Sequence, residues 1–166
     1  MTWTKLNFGK HKGRTLPEVM FRDPDWFYWA YDEGAFAKRG LGTEADRIHA
    51  RASLILPRAN AQTHKEDPES ELEVEYYVHR PTGRFGKFSV VPRSRPIHQG
   101  SSPAFRGRHI DFRVPREMAD YDKLGSFLFI SLLKHYVFGD ASYRMTRKRA
   151  EAFFADDSNF DLVREA

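Results

Sequence analysis

The clearest pattern in the chain is an alternation of apolar and polar residues from Leu72 to His79. A period of two residues is typical of a β-strand that buries one of its faces. The segment Pro81–Arg84 has the composition of a turn, and residues 85–91 return as an apolar segment, so we predict an antiparallel hairpin. Residues 109–114 alternate again, and with them we predict an antiparallel sheet of three or more strands.

Helical patterns dominate the first third of the chain. Thr15, with Glu18 three residues later, predicts a capping box at the start of a short helix. Asp23 is predicted to cap a second helix, because Pro24 suits the first helical position and Gly34 follows as a stop signal.

A further helix is predicted from Thr43 to just before Pro57, because apolar residues recur there at intervals of three or four. Its apolar face consists of Ala45, Ile48, Ala52 and Ile55. His49 and Arg51 lie off this face, and we predict that both are exposed to solvent.

The C-terminal third again has helical character. Residues 120–138 include the run FLFISLL, which is apolar on nearly every side, so we predict a buried helix that ends at Gly139. Ser142 is predicted to cap a last helix over residues 143–155.

These elements predict an α+β fold, in which the antiparallel sheet packs against C-terminal helices. We predict a helical accessory module with a basic glycine turn at residues 1–57, a linker or surface loop at 58–70, and the sheet with two C-terminal helices at 71–166. A single domain overall remains an alternative. Residues 92–107 are rich in proline, serine and glycine, and we predict a mobile loop there.

Composition narrows the class of protein. The chain has 166 residues, of which 40% are hydrophobic and 14% aromatic, as expected of a folded globular protein. It has no cysteine, which excludes disulfides and thiolate metal sites and favours a cytoplasmic location. We predict no signal peptide and no membrane role, because the most apolar run, residues 127–133, is too short to span a bilayer.

The charges are unevenly distributed along the chain. Residues 66–75 hold six acids and no base, whereas residues 76–116 hold nine Lys or Arg and the single acid Asp111. A basic block attracts polyanions by neutralising phosphates and releasing counterions. The alternative is an ordinary solvated surface beside an acidic neighbour.

The segment Phe8-Gly9-Lys10-His11-Lys12-Gly13 predicts a tight basic turn. Lys10, Lys12 and Arg14, next to a helix start, form a candidate phosphate site. The turn lacks the spacing and the ending of a P-loop, and a simple β-turn with solvated lysines is the alternative.

This turn, followed by a short helix and by the pattern D-P-x-W-x-x-W at residues 23–29, resembles the C-terminal module of exonuclease X-like 3′–5′ exonucleases. It is also similar to a family of short bacterial proteins described as quorum-sensing-regulated virulence factors. The resemblance covers residues 6–34 and implies an accessory module found beside nucleic-acid enzymes, of bacterial or phage origin. The acidic metal-binding motifs of the nuclease domain have no counterpart in the rest of this sequence.

The candidate nucleic-acid-binding residues are the cations of the turn and of the predicted hairpin and loop. They are Lys10, Lys12, Arg14, Arg80, Arg84, Lys87, Arg93, Arg95, Arg106 and Arg108. Aromatic rings can stack on bases, and the candidates are Trp26, Trp29 and Phe85. At helical spacing the two tryptophans could equally belong to the core.

Two other classes of function stay open. Glu73, Glu75, His79, Asp111 and Lys87 could meet on the polar face of the sheet and hold Mg²⁺ for phosphodiester hydrolysis. A regulatory module that binds an acidic protein partner would use the same cations.

No metal or other cofactor is predicted. In particular, His79, His98 and His109 lack the spacing of zinc ligands.

We therefore predict a non-catalytic nucleic-acid-binding or accessory protein that contacts mainly the phosphate backbone. The expected partner is nucleic acid, DNA in preference to RNA, together with a nuclease or another protein.

Overall fold

The computed structural model of the chain describes residues 2–58, 65–119 and 122–162. Within these residues it contains seven helices, one 3₁₀ helix and three strands. The helices are α1 (Leu16–Arg22), α2 (Pro24–Asp32), α3 (Ala35–Lys38), α4 (Gly42–Ala52), α5 (Val114–Met118), α6 (Lys123–Phe138), α7 (Arg147–Ala155) and the 3₁₀ helix Asp157–Asn159. The strands are β1 (Leu72–His79), β2 (Arg84–Pro92) and β3 (Ala104–Gly107). The predicted α+β class is confirmed.

The chain divides into two compact units. The first unit comprises residues 1–54 together with 144–166, and the second comprises residues 55–143. The last helix, α7, packs against α1 within the first unit. The predicted domain bounds stay predictions, and residues 59–64 of the predicted linker lie outside the described residues.

The starts of the first two helices use different chemistry. Asp23 caps α2 as predicted, because its carboxylate accepts a hydrogen bond from the backbone N–H of Trp26 at 3.2 Å. The capping box predicted for α1 is wrong: the Thr15 hydroxyl donates to Glu151 at 3.1 Å. Glu18 in turn accepts a hydrogen bond from Arg14 at 3.1 Å. The Thr15 side chain accepts no hydrogen bond from the first turn of α1.

An aromatic cluster forms the core between α1 and α7. The ring of Phe21 lies 5.5 Å from that of Phe153 and 5.7 Å from that of Phe154. On α4, the predicted apolar residues Ala45, Ile48 and Ala52 are buried. This helix begins at Gly42, one residue before the predicted start at Thr43.

Arg51 is buried, and its predicted exposure to solvent is wrong. Only 6% of Arg51 is exposed, and its guanidinium donates to the carbonyl of Phe154 at 3.0 Å and to Asp157 at 2.7 Å. The same group lies 5.1 Å above the ring centre of Phe160. The C-terminal segment returns over this side of α4, a contact across more than one hundred residues that helical periodicity does not reveal.

The second unit is built on the antiparallel sheet, whose strand order is β2-β1-β3. The predicted hairpin is confirmed, with Glu75 opposite Ser89 and Tyr77 opposite Lys87. A β-bulge follows, since Val78 pairs with Phe85 and leaves Gly86 unopposed. A Cβ at Gly86 would lie 3.2 Å from the carbonyl oxygen of Tyr77, which favours glycine at this position.

The third strand lies elsewhere than predicted. β3 occupies residues 104–107, within the segment predicted to be a mobile loop, and residues 109–114 form no strand. Ile110 and Phe112 are buried as their alternation indicated, but Tyr76 is hydrogen-bonded to the backbone at both His109 and Asp111. A side chain thereby satisfies backbone groups that a strand ladder would have satisfied.

Helix α6 packs on the sheet but is not buried on all sides as predicted. Phe129 contacts Phe88 and Phe112, whereas Leu124 and Phe127 are 68% and 67% exposed. The helix begins at Lys123, and residues 120 and 121 of the predicted range lie outside the described residues. Gly139 ends it in the left-handed conformation, as predicted.

The last helix begins later than predicted. Thr146 caps α7, whereas Ser142 bonds to Asp140. Among the helices of the described residues, none combines the length and the apolar character needed to cross a bilayer.

Replacing Arg51 by alanine is expected to lower the free energy of unfolding by about 2–3 kcal/mol, because the buried hydrogen bond to Phe154, the ion pair with Asp157 and the contact with Phe160 are lost. Urea unfolding followed by circular dichroism measures this. Lys38→Ala, at an exposed helical position, serves as the control and should change stability by about 0.5 kcal/mol or less. If the two substitutions changed the free energy of unfolding equally, the contacts of Arg51 would not contribute to stability as described.

Candidate nucleic-acid interface

The basic glycine turn is a closed loop, which we call the elbow (residues 6–14). The N–H of Leu6 donates to the carbonyl of Arg14 at 2.8 Å, and the N–H of Gly13 donates to that of Leu6 at 2.8 Å. Gly9 and Gly13 have φ values of 74° and 90°, which side-chain-bearing residues adopt only with strain. The glycines of the sequence motif thus close the loop.

The elbow is seated on the aromatic face of α2. A Cβ added at Gly9 would lie 2.9 Å from Cζ2 of Trp26, so the backbone passes directly over the indole ring. The ring of His11 lies 5.0 Å from the same indole and Phe8 lies 6.2 Å from it. Trp26 therefore supports the elbow, whereas Trp29, one helical turn further on, is 43% exposed.

Asp23 joins the elbow to the start of α2. One of its oxygens contacts both Lys10 Nζ at 2.8 Å and His11 Nε2 at 3.0 Å. Burial raises the pKa of Asp23, but the hydrogen bonds from Lys10, His11 and the backbone of Trp26 outweigh it and hold the pKa below its ordinary value. The aspartate of the D-P motif is therefore ionised where it orders the elbow.

The elbow presents its cations at different exposures. The Lys10 side chain is 53% exposed, Lys12 is exposed, and Arg14 is 36% exposed beside Glu18. Arg39 lies 4.7 Å above the ring of Phe8 and adds a cation that sequence analysis missed. Nothing in the spacing of Phe8 and Arg39 signals this contact, which arises when α3 folds back.

In the second unit, the acidic run and the basic block pair with each other. Arg93 contacts Glu71 at 2.9 Å and Glu73 at 3.4 Å, and Arg95 forms an ion pair with Glu66. Two arginines of the basic block, Arg93 and Arg95, are therefore neutralised by the acidic run. This is the alternative that the sequence left open for the basic block.

The most deeply buried of these pairs joins Glu75 in β1 to Arg106 in β3. Their side chains are 1% and 8% exposed and approach to 2.9 Å. Arg106 also donates to the carbonyls of Arg93 at 3.3 Å and Pro96 at 3.1 Å. The loop after β2, predicted to be mobile, is thereby held over the polar face of the sheet, and Arg106 has little surface to offer a ligand.

Three predicted cations of this unit remain exposed without a carboxylate partner among the described residues: Arg80, Lys87 and Arg108. Lys87 lies 4.9 Å above the ring of Tyr77. Arg84 is 54% exposed and lies 3.6 Å from Asp122.

Phe85, predicted to stack on a base, is only 3% exposed and its ring packs against Phe129, which leaves no open face for stacking.

The carboxylates considered for a nuclease site are engaged by arginines. Arg106 contacts both Glu73 and Glu75, and Asp111 is bridged by Arg113 at 3.0 Å. Within the described ranges, no three acidic or imidazole side chains gather in a way that could hold a metal ion.

Comparison with known families places the elbow in a recognised context. Residues 6–33 match the family described as Exodeoxyribonuclease X-like C-terminal, which confirms the resemblance of this segment. No curated protein and no solved structure matches the chain. The match hints at a nuclease-related accessory role, and it covers the elbow, α1 and α2.

Substitution of Gly9 by alanine is expected to destabilise the protein by about 2–3 kcal/mol, whereas Gly13→Ala should cost about 1–2 kcal/mol. Both substitutions place a side chain at positive φ, but only the Cβ at position 9 meets the Trp26 ring. Chemical unfolding of the two variants measures the difference. If Gly13→Ala costs as much as Gly9→Ala, the elbow is not seated on Trp26 as described.

The buried pair predicts a pH dependence of stability. Burial raises the pKa of Glu75, but hydrogen bonds from Tyr77, Arg106 and the backbone of His98 lower it by a larger amount. The pKa of Glu75 in the folded protein therefore lies below the ordinary value of 4.5. The unfolded state then binds more protons, and this stabilisation is present above the unfolded pKa and is lost as the pH falls through the folded pKa. We expect the unfolding free energy to decline between about pH 5 and pH 3 more steeply in wild type than in Glu75→Gln.

Unfolding titrations at several pH values measure this decline. The matched control is Glu69→Gln, which removes the charge of an exposed carboxylate. A wild-type slope retained in Glu75→Gln would contradict the assignment to Glu75.

Proposed function

We propose that the protein is a non-catalytic nucleic-acid-binding accessory protein that contacts phosphates through the elbow. The observation that carries this proposal is a coincidence of two features in one segment. The residues that match the nuclease-associated module are those that fold into a closed loop and expose Lys10 and Lys12. We further propose DNA as the preferred ligand, and a nuclease as a candidate protein partner.

The difference in exposure between ion pairs supports this choice of residues. Lys10 is 53% exposed in its pair with Asp23, and Asp23 keeps hydrogen bonds from His11 and the backbone of Trp26 when Lys10 leaves it. An ion pair near the surface contributes about 0–1 kcal/mol, so a phosphate can compete for Lys10 at modest cost. If Arg106 left Glu75 to contact a phosphate, Glu75 would stay buried without its ion-pair partner, at a cost of roughly 3–5 kcal/mol. Phosphate contacts are therefore assigned to the exposed cations, and Arg106 is assigned to the fold.

An exposed aromatic follows Trp26 on the same helix. Trp26 underlies the elbow, and Trp29 follows it by one helical turn with 43% of its surface exposed. Base–aromatic stacking contributes about 1–3 kcal/mol per base and tolerates any sequence. Lysines that bind phosphate beside a tryptophan that stacks suit a ligand bound with little sequence readout.

The hairpin of the second unit supports the same function. Arg80 and Lys87 are exposed, and Arg84 is half exposed in the strand that follows the turn. These cations are assigned to additional backbone contacts, whereas Arg93 and Arg95 are assigned to ion pairs with the acidic run.

The double substitution Lys10→Glu/Lys12→Glu is expected to weaken binding to a fluorescent single-stranded or duplex DNA roughly tenfold or more at low salt. Reversing two charges that contact phosphate should also reduce the slope of log affinity against log salt by about 2. Fluorescence anisotropy at several salt concentrations gives both values.

The matched control is Arg147→Glu/Lys148→Glu, which makes the same charge change at two exposed positions in the first turn of α7. Acidic residues suit a helix N-terminus, so this variant should fold and bind with less than about a threefold loss. Equal losses in the two variants would mean that net charge alone governs binding, and absence of binding in the wild type would end the proposal.

A further inference from the structure

A cleft of about 620 Å³ lies in the second unit, between the hairpin turn and the start of α6. Its apolar walls come mainly from Leu124 and Leu128, because Phe85 also lines it but is only 3% exposed. Gly86 at the β-bulge contributes backbone to the lining and no side chain. Sites for small molecules typically have volumes of about 300–1,000 Å³ and mostly apolar walls with a few placed polar groups. The cleft has the size and the lining of such a site.

Its polar groups are of two kinds. Asp122 lines the cleft with a side chain that is only 4% exposed, and an ionised carboxylate only accepts hydrogen bonds. One of its oxygens caps α6 through the N–H of Gly125 at 3.0 Å. Arg84 lines the same cleft, 3.6 Å from Asp122, and its guanidinium donates from a half-exposed position.

Resting on the proposed nucleic-acid function, we propose that this cleft holds one unpaired nucleobase that carries an amino group, with Arg84 bound to the adjoining phosphate. A base offers a flat apolar body for the walls and an amino edge that can donate to Asp122. The exposed guanidinium suits the phosphate because Arg can donate two parallel hydrogen bonds to its oxygens.

The base must be unpaired to enter. In a duplex the base is stacked and its pairing edge is occupied, whereas in a single strand both are free. The cleft therefore assigns single-stranded nucleic acid to the second unit, a preference that phosphate contacts at the elbow do not supply.

Two oligonucleotides of equal length and phosphate number test this inference: oligo-deoxycytidine, whose bases carry an amino group, and an abasic strand. Wild type should bind the first roughly tenfold more tightly, as expected for one base that buries apolar surface and donates one hydrogen bond. Leu124→Gln should reduce that ratio to about threefold or less, since one apolar wall is lost. Leu124 is 68% exposed, so the substitution leaves the fold intact.

The matched control is Phe127→Gln, which removes a side chain of nearly equal exposure, 67%, from the same helix but outside the cleft. Its ratio should equal that of wild type. A wild-type ratio near one, or a ratio that Leu124→Gln leaves unchanged, would overturn the inference while elbow-dependent binding could still stand. If neither oligonucleotide binds, the proposed function fails and the inference falls with it.

Discussion

The ion pair between Glu75 and Arg106 is the interaction on which the surface of the second unit depends. It joins β1 to β3 where the two residues stand opposite each other, and it is almost completely buried. Burying two charges is costly unless further hydrogen bonds satisfy them, and here Tyr77 and the loop carbonyls of Arg93 and Pro96 do so. The pair thus holds the loop in place as well as the strand.

That arrangement decides which charges are available to a partner. Glu73 and Glu75 are occupied by arginines, so they cannot act as free acids on the sheet face. Arg93 and Arg95 in turn are directed at the acidic run. Among the described residues of this unit, the predicted cations that reach solvent without a carboxylate partner are Arg80 and Lys87 in the hairpin and Arg108 after β3.

In the first unit, the matched motif separates into a scaffold and a set of exposed charges. The scaffold consists of three residues. The backbone at Gly9 lies against the ring of Trp26, which His11 also contacts, and Asp23 caps α2 at the N–H of Trp26. These contacts explain the glycine, the aspartate and the tryptophan of the motif and the spacing between them. The side chains of Lys10 and Lys12 are exposed, and Lys10 also contacts Asp23. The motif therefore identifies the frame of the elbow, and its exposed lysines are the residues to which we propose phosphate contacts.

The sequence by itself determined the local structures: the cap at Asp23, the closed glycine turn, the hairpin and the stop at Gly139 all follow from residues a few positions apart. It did not determine that Arg51 is buried, that β3 lies at residues 104–107, or that α7 packs on α1. Each of these depends on groups far apart in the chain, such as the Phe154 carbonyl that accepts from Arg51 or the Glu75 that faces Arg106. The periodicity of the sequence indicates only which face of an element is apolar. Which charged side chains are neutralised by ion pairs and which stay exposed is determined only in the tertiary structure.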